Sequence, residues 1–136
     1  MTAADNKAVL RRYGEEVWNK GNLALFDELI APNLVLRFPG VPETRDDFRA
    51  FVPQFRAAFP DLQLTIADLV AEGDLVAVHW TMRGTQRGVF QGIAPTGKAV
   101  TMTMTVFYRL RDGQIEQAWG DWDLLGVQQQ LGAGAK

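Results

Sequence analysis

The chain has no cysteine and a single histidine, His79. Disulfides, thiolate nucleophiles, iron–sulfur clusters and ordinary Cys/His zinc sites are excluded together. Positive charge is not in excess: 14 Lys and Arg stand against 16 Asp and Glu, a formal charge of -2. The basic residues are scattered, so no phosphate-tracking groove forms and nucleic acid is not an expected partner. The glycines at 84, 88, 92 and 97 make neither a GxxxxGK[ST] nor a GxGxxG loop. No apolar run approaches the roughly 18 to 20 residues of a membrane span, and Met1 to Lys7 lack a basic segment leading into an apolar one. A cytoplasmic protein with no membrane attachment is therefore expected. What chemistry there is must come from carboxylates, hydroxyls, Arg, Lys or His79.

No internal repeat and no linker rich in Pro, Gly or Ser divides the chain. With 136 residues, 47% of them apolar and 22% charged, the sequence fits one globular domain over residues 1–132. A disordered Gly-Ala tail is expected at residues 133–136.

The first half has helical periodicity. Between Asp5 and Lys20, Val9, Leu10, Tyr13, Val17 and Trp18 recur at three- and four-residue intervals, which makes one apolar stripe. Gly21 suits the left-handed residue that closes a helix, and Asn22 suits the cap of a second helix over Leu23 to Ile30. A short strand follows at Leu34 to Phe38. Thr44 then begins a capping box with Asp47 ahead of Phe48, Phe51, Val52, Phe55 and Phe59. Pro53 lies inside that pattern and predicts a kink or a late helix start.

After Pro60 the period becomes two. Leu62, Leu64 and Ile66 alternate, as do Leu75 to Trp80 after the turn Glu72-Gly73-Asp74. Val100 to Leu110 sets Thr101, Thr103 and Thr105 against Met102, Met104 and Val106. Arg111-Asp112-Gly113-Gln114 is a hairpin turn, and the last strand returns from Gln114 to about Asp123. Three helices followed by a long antiparallel sheet imply an α+β fold, with a curved sheet wrapped around the helices and an apolar pocket between the layers.

The segment richest in chemistry is Ile115 to Leu125. Strict alternation puts Ile115, Gln117, Trp119, Asp121 and Asp123 on one face. If that face lines the pocket, burial and mutual repulsion raise the pKa of Asp121 and Asp123 and make an acid/base pair. The alternative is that the strand ends near Gly120 and both are solvated turn or cap residues. His79 falls on the face opposite Val76, Val78 and Trp80, as a structural or interface histidine or a general base. Tyr13 faces inward, as a core side chain or with its hydroxyl in the pocket. Met102 and Met104 read as pocket wall or core.

Motifs along nearly the whole chain, from about residue 8 to 132, carry a resemblance. They are Trp18-Asn19-Lys20-Gly21-Asn22, Leu29-Ile30-Ala31-Pro32-Asn33, Phe55 to Leu62, Val70 to Asp74, Gly84-Thr85, Gly88 to Lys98, Tyr108-Arg109 with Asp112-Gly113, and Trp119 to Asp123. Together they resemble the SnoaL-like polyketide cyclase family of the nuclear-transport-factor-like superfamily. The resemblance implies a cone-shaped α+β barrel enclosing an apolar pocket, a homodimer, no metal and no cofactor. It also implies ring closure of a small hydrophobic carbonyl compound by intramolecular aldol condensation, with Asp123 at the position of the family's acid/base. Trp80, Trp119, Met102 and Met104 would then hold flat apolar rings. The sequence departs from the family pattern at Gln117-Ala118, where relatives often carry Glu-His, and at Gln86, where a His is frequent. Two other functions stay open: a non-catalytic pocket for a small apolar ligand, and epoxide opening by a carboxylate pair with Arg83 or Arg109 between the acids.

Overall fold

In the computed structural model, which describes residues 1–132, the first helix begins at a reciprocal cap. The Thr2 hydroxyl accepts the Asp5 amide while the Asp5 carboxylate accepts the Thr2 amide, so two orphan donors are satisfied at once. The tail expected to be disordered, 133–136, lies outside the described residues. Helix α1 (Ala3–Arg12) continues into a wider π-helical segment, Tyr13–Trp18. There the Asn19 amide reaches the Gly14 carbonyl five residues back, at 3.1 Å. In that winding residues five apart come to the same side. Tyr13 and Trp18, five residues apart, meet edge to face at 6.4 Å between ring centroids.

The helix ends where Trp18-Asn19-Lys20-Gly21-Asn22 indicates. Gly21 adopts φ 71°, and Asn22 caps helix α2 (Leu23–Leu29) by accepting the Leu25 amide. The Asn19 side chain exchanges two hydrogen bonds with the Leu64 backbone, at 2.6 and 3.0 Å. The Arg56 guanidinium donates to the Trp18 and Asn19 carbonyls, both at 2.8 Å. These ties fix the end of the π-helical segment against both a strand and a helix.

Strand β1 (Ile30–Arg37) begins as soon as α2 ends, earlier than the expected Leu34. Helix α3 (Arg45–Ala58) starts at the Thr44 cap and runs through Pro53, so the late start expected there does not occur. Pro53 faces solvent, and Phe48, Val52 and Phe55 are buried on the other side. Then come β2 (Gln63–Glu72), β3 (Leu75–Thr85), β4 (Ala99–Arg111), β5 (Gln114–Trp122) and a helix the sequence reading lacked, α4 (Leu124–Gln130).

The strands form a five-stranded sheet in the order β1-β5-β4-β3-β2. The expected antiparallel sheet is in fact mixed, because β1 runs parallel to β5. Only a hairpin forces antiparallel pairing, and β1 reaches the rest of the sheet through α3, which leads to β2 at the opposite edge. The sheet does not close on itself. With α1 to α3 packed against its inner face it forms the expected cone-shaped α+β barrel. The β4–β5 hairpin turns at Asp112-Gly113, both at positive φ (52° and 78°), the turn chemistry the sequence predicts. No helix among the described residues is long and apolar enough to cross a membrane.

Candidate active site in the interior cavity

Between the helices and the inner face of the sheet lies an apolar cavity, with about 80 Å³ open to the centre of a water-sized sphere. Inward alternation on β3 and β4 supplies Trp80, Met82, Met102, Met104, Val106 and Tyr108. Helix α3 adds Phe48, Phe51 and Phe55, three- and four-residue neighbours on one helix face. The π-helical segment adds Tyr13 and Trp18. Half-buried Phe38, Val41 and Trp122 form the rim, where the Trp122 indole donates to the Pro39 carbonyl at 2.6 Å.

Among the described residues, no carboxylate, imidazole, ammonium or guanidinium lines this cavity. Its polar side-chain atoms are the hydroxyls of Tyr13 and Tyr108 and the indole nitrogens of Trp18, Trp80 and Trp122. The Trp80 Nε1–H donates to the Tyr108 hydroxyl at 2.9 Å. The Tyr13 and Tyr108 rings meet edge to face at 6.2 Å. Burial pushes the Tyr13 phenol well up, with the Trp18 indole working the other way. Burial also pushes Tyr108 well up, Tyr13 beside it adds to the rise, and the Trp80 indole opposes it. Both phenols are therefore neutral near pH 7, so they donate hydrogen bonds and are poor bases.

Of the site residues expected from sequence, the fold brings Tyr13, Trp80, Met102 and Met104 together in the cavity. It separates the others from them. Gln117, Trp119 and Asp121 lie on the outer face of the sheet, in an open groove with Arg37 and Arg109. The cause is a β-bulge: Leu110 pairs with Ile115 but Arg109 pairs with Gln117, which leaves Glu116 as an extra residue. One added residue reverses the face of everything after it. Ile115 points inward as expected, but beyond the bulge Ala118 and Trp122 are the inward residues.

Asp123 lies just past β5, where its carboxylate accepts the Gly126 amide at 2.9 Å and caps α4. Asp123 is thus an exposed cap residue, as the alternative held, but the strand does not end near Gly120: it runs to Trp122, and Asp121 is an exposed strand residue. Arg109 is held by Asp74 at 2.8 Å and lies over the Trp119 ring, while Arg83 is exposed on β3. His79 stands on the outer face, 3.3 Å from Asp68.

Gln86 is fully buried away from the cavity and organises the loop before β4. Its amide donates to the Gly88 and Ile93 carbonyls, and its oxygen accepts from the Thr96 amide and hydroxyl. Among the described residues no three His, Asp or Glu side chains converge as a metal site would require.

Tyr108 and the rim residues were not singled out as site residues from sequence. Tyr108 was detectable, since it continues the inward phase of Met102, Met104 and Val106. Trp122 was hidden by the bulge.

The chain matches the SnoaL-like polyketide cyclase pattern over residues 7–131. No protein of curated function matches it. Its fold is similar to that of TsrD from Streptomyces laurentii, with a TM-score of 0.89 and 28% identity over 98% of both chains. It is also similar to IdmH, a proposed polyketide cyclase from Streptomyces antibioticus, with a TM-score of 0.83 and 34% identity over 93% of this chain and 98% of that one. AclR, a proposed hydroxylase from Streptomyces galilaeus, has a TM-score of 0.86 and 27% identity over 96% and 98% of the two chains.

Proposed function

Since the chain belongs to the SnoaL-like polyketide cyclase family, we propose that it is a cofactor-independent enzyme of the cyclase type, acting on a flat hydrophobic carbonyl compound in the interior cavity. The observation that carries this reading is the cavity wall, aromatic and apolar throughout except for neutral hydroxyl and indole groups. Such a wall favours flat rings by burial and stacking, and its few donors match carbonyl oxygens. In an intramolecular aldol closure the α-carbon of one carbonyl bonds to the carbon of a second carbonyl in the same molecule. The proton lost from the α-carbon is matched by the one gained at the new alkoxide, so the reaction is an isomerisation. Holding the two ends in a reactive conformer, with hydrogen bonds to the developing oxygen charge, supplies the catalysis.

Naphthoylacetone tests the reading, because its relaxation from enol to ketone can be followed by ultraviolet absorption. The protein is expected to bind it and to accelerate that relaxation. An Asp123→Asn variant should keep the acceleration, since Asp123 caps α4. Loss of acceleration with binding intact would return the acid/base role to Asp123. The absence of any carboxylate along the described cavity wall favours a second reading, a non-catalytic pocket. Tight binding with no acceleration is its signature.

The protein also self-associates in this proposal, as a homodimer through the outer sheet face. Support comes from apolar side chains left in water there: Phe107 is 38% exposed and stacked on Trp119, and Val35 is 45% exposed. Phe107→Glu should convert a sedimenting dimer to a monomer. An unchanged sedimentation coefficient would exclude this face.

A further inference from the structure

We propose that the Tyr108 hydroxyl, oriented by the Trp80 indole, is the hydrogen-bond donor that receives the ligand's carbonyl oxygen. This rests on the cavity reading above and specifies its polar end. A phenol has one proton to donate and lone pairs to accept with. At Tyr108 an acceptor site is filled by Trp80 Nε1–H at 2.9 Å, and no protein acceptor takes the hydroxyl proton among the described residues. The proton is thus free for a group entering the cavity.

Three features hold that donor in place. Tyr108 lies on β4, paired on one side with Val76 of β3 and on the other with Ala118 of β5. Trp80 is almost fully buried, and its six-membered ring lies where a β-carbon on Gly14 would be 2.7 Å from it. Glycine at position 14 is therefore what lets the indole reach this depth, and the π-helical segment sets Tyr13 beside the same end of the cavity. A donor held in a dry wall loses no reorganisation energy when it meets the growing negative charge of an enolate oxygen. Tyr108 thus touches the ligand, and Trp80 acts through Tyr108 as a positioning residue.

The test uses the intact protein with two probes of similar shape: acetylnaphthalene with an isotope-labelled carbonyl, and ethylnaphthalene, which lacks the oxygen. Infrared difference spectra of the bound ketone read the hydrogen bond, and fluorescence titration reads both affinities. In the natural sequence the carbonyl band is expected below its position in an alkane solvent. In Tyr108→Phe it should return toward the alkane position, with ketone affinity falling about five- to tenfold and ethylnaphthalene affinity unchanged. Trp80→Phe, which keeps the Tyr108 hydroxyl but removes its orienting N–H, should give an intermediate band position.

A band already at the alkane position in the natural protein overturns the proposal while leaving the cavity reading intact. A lowered band that Tyr108→Phe does not move does the same and assigns the donor elsewhere. Failure of both probes to bind overturns the cavity reading and this proposal with it. Equal weakening of both probes in a folded Tyr108→Phe variant, without a band shift, marks Tyr108 as merely structural.

Discussion

Strand β4 presents two different chemistries on its two faces. Inward, Met102, Met104, Val106 and Tyr108 meet the cavity; outward, Thr101, Thr103, Thr105 and Phe107 meet solvent. The contrast extends to its neighbours. The outer side of β3 carries His79 beside Asp68, and Arg109 on β4 is paired with Asp74, whereas the inner side carries Trp80 and Met82. Ionised groups stay where water and counter-charges reach them, because burying an unpaired charge costs several kcal/mol while a hydrogen-bonded phenol or indole costs little. Among the described residues, the cavity wall therefore offers only neutral donors.

The comparison can be broken most severely from the inside. Trp80→Ala removes the largest fully buried side chain, and large-to-small core changes of this kind cost about 3 to 5 kcal/mol. Denaturant unfolding should show that loss, together with loss of acetylnaphthalene binding. Gly14→Ala probes the same contact from the helix side. The added methyl meets the Trp80 ring, so an overpacking penalty of about 1 to 3 kcal/mol competes with a helix-propensity gain of roughly 1 kcal/mol. A net loss of stability is expected, and a net gain would show that Trp80 can shift freely.

The outer side should respond more weakly. Asp123→Ala removes the α4 cap and should cost about 1 kcal/mol, while Asp123→Asn, an equally good cap, should change the unfolding midpoint by only a few tenths of a kcal/mol. Smaller still is the effect at Asp61, whose carboxylate accepts the Thr85 amide and hydroxyl at 2.7 and 2.8 Å. The backbone hydrogen bond from Thr85, then its hydroxyl, hold the folded pKa of Asp61 below the ordinary 3.8. A lowered folded pKa means the stabilisation is complete above the ordinary value and disappears as pH falls through the folded one. The stability difference between the natural protein and Asp61→Asn should therefore be largest near neutral pH and shrink in acid. A difference that does not change with pH would remove the assigned cause.

Much of this was legible in the residues themselves. The cap at Asn22, the left-handed Gly21 and the Asp112-Gly113 turn are local chemistry, and each forms as expected. The inward phase of Tyr13, Trp80, Met102 and Met104 follows from periodicity alone, and all four line the cavity. The last strand was misread because alternation was carried unbroken through Glu116. A bulge depends on how β4 pairs with β5, information held in the partner strand as much as in β5. Asp123 was placed in the site by the same alternation and by its match to the family's acid/base position, neither of which registers that a residue beyond the strand end points where the next helix needs a cap.

Local propensity and hydrophobic period thus determined the first three helices, the turns, the α+β class and most of the residues that face inward. Only the tertiary structure decided the parallel pairing of β1, the bulge that turns Asp121 to solvent, and the meeting of Trp80 with Tyr108, which lie 28 residues apart in sequence. Those features arise from contacts between distant segments, whose register no short-range pattern encodes.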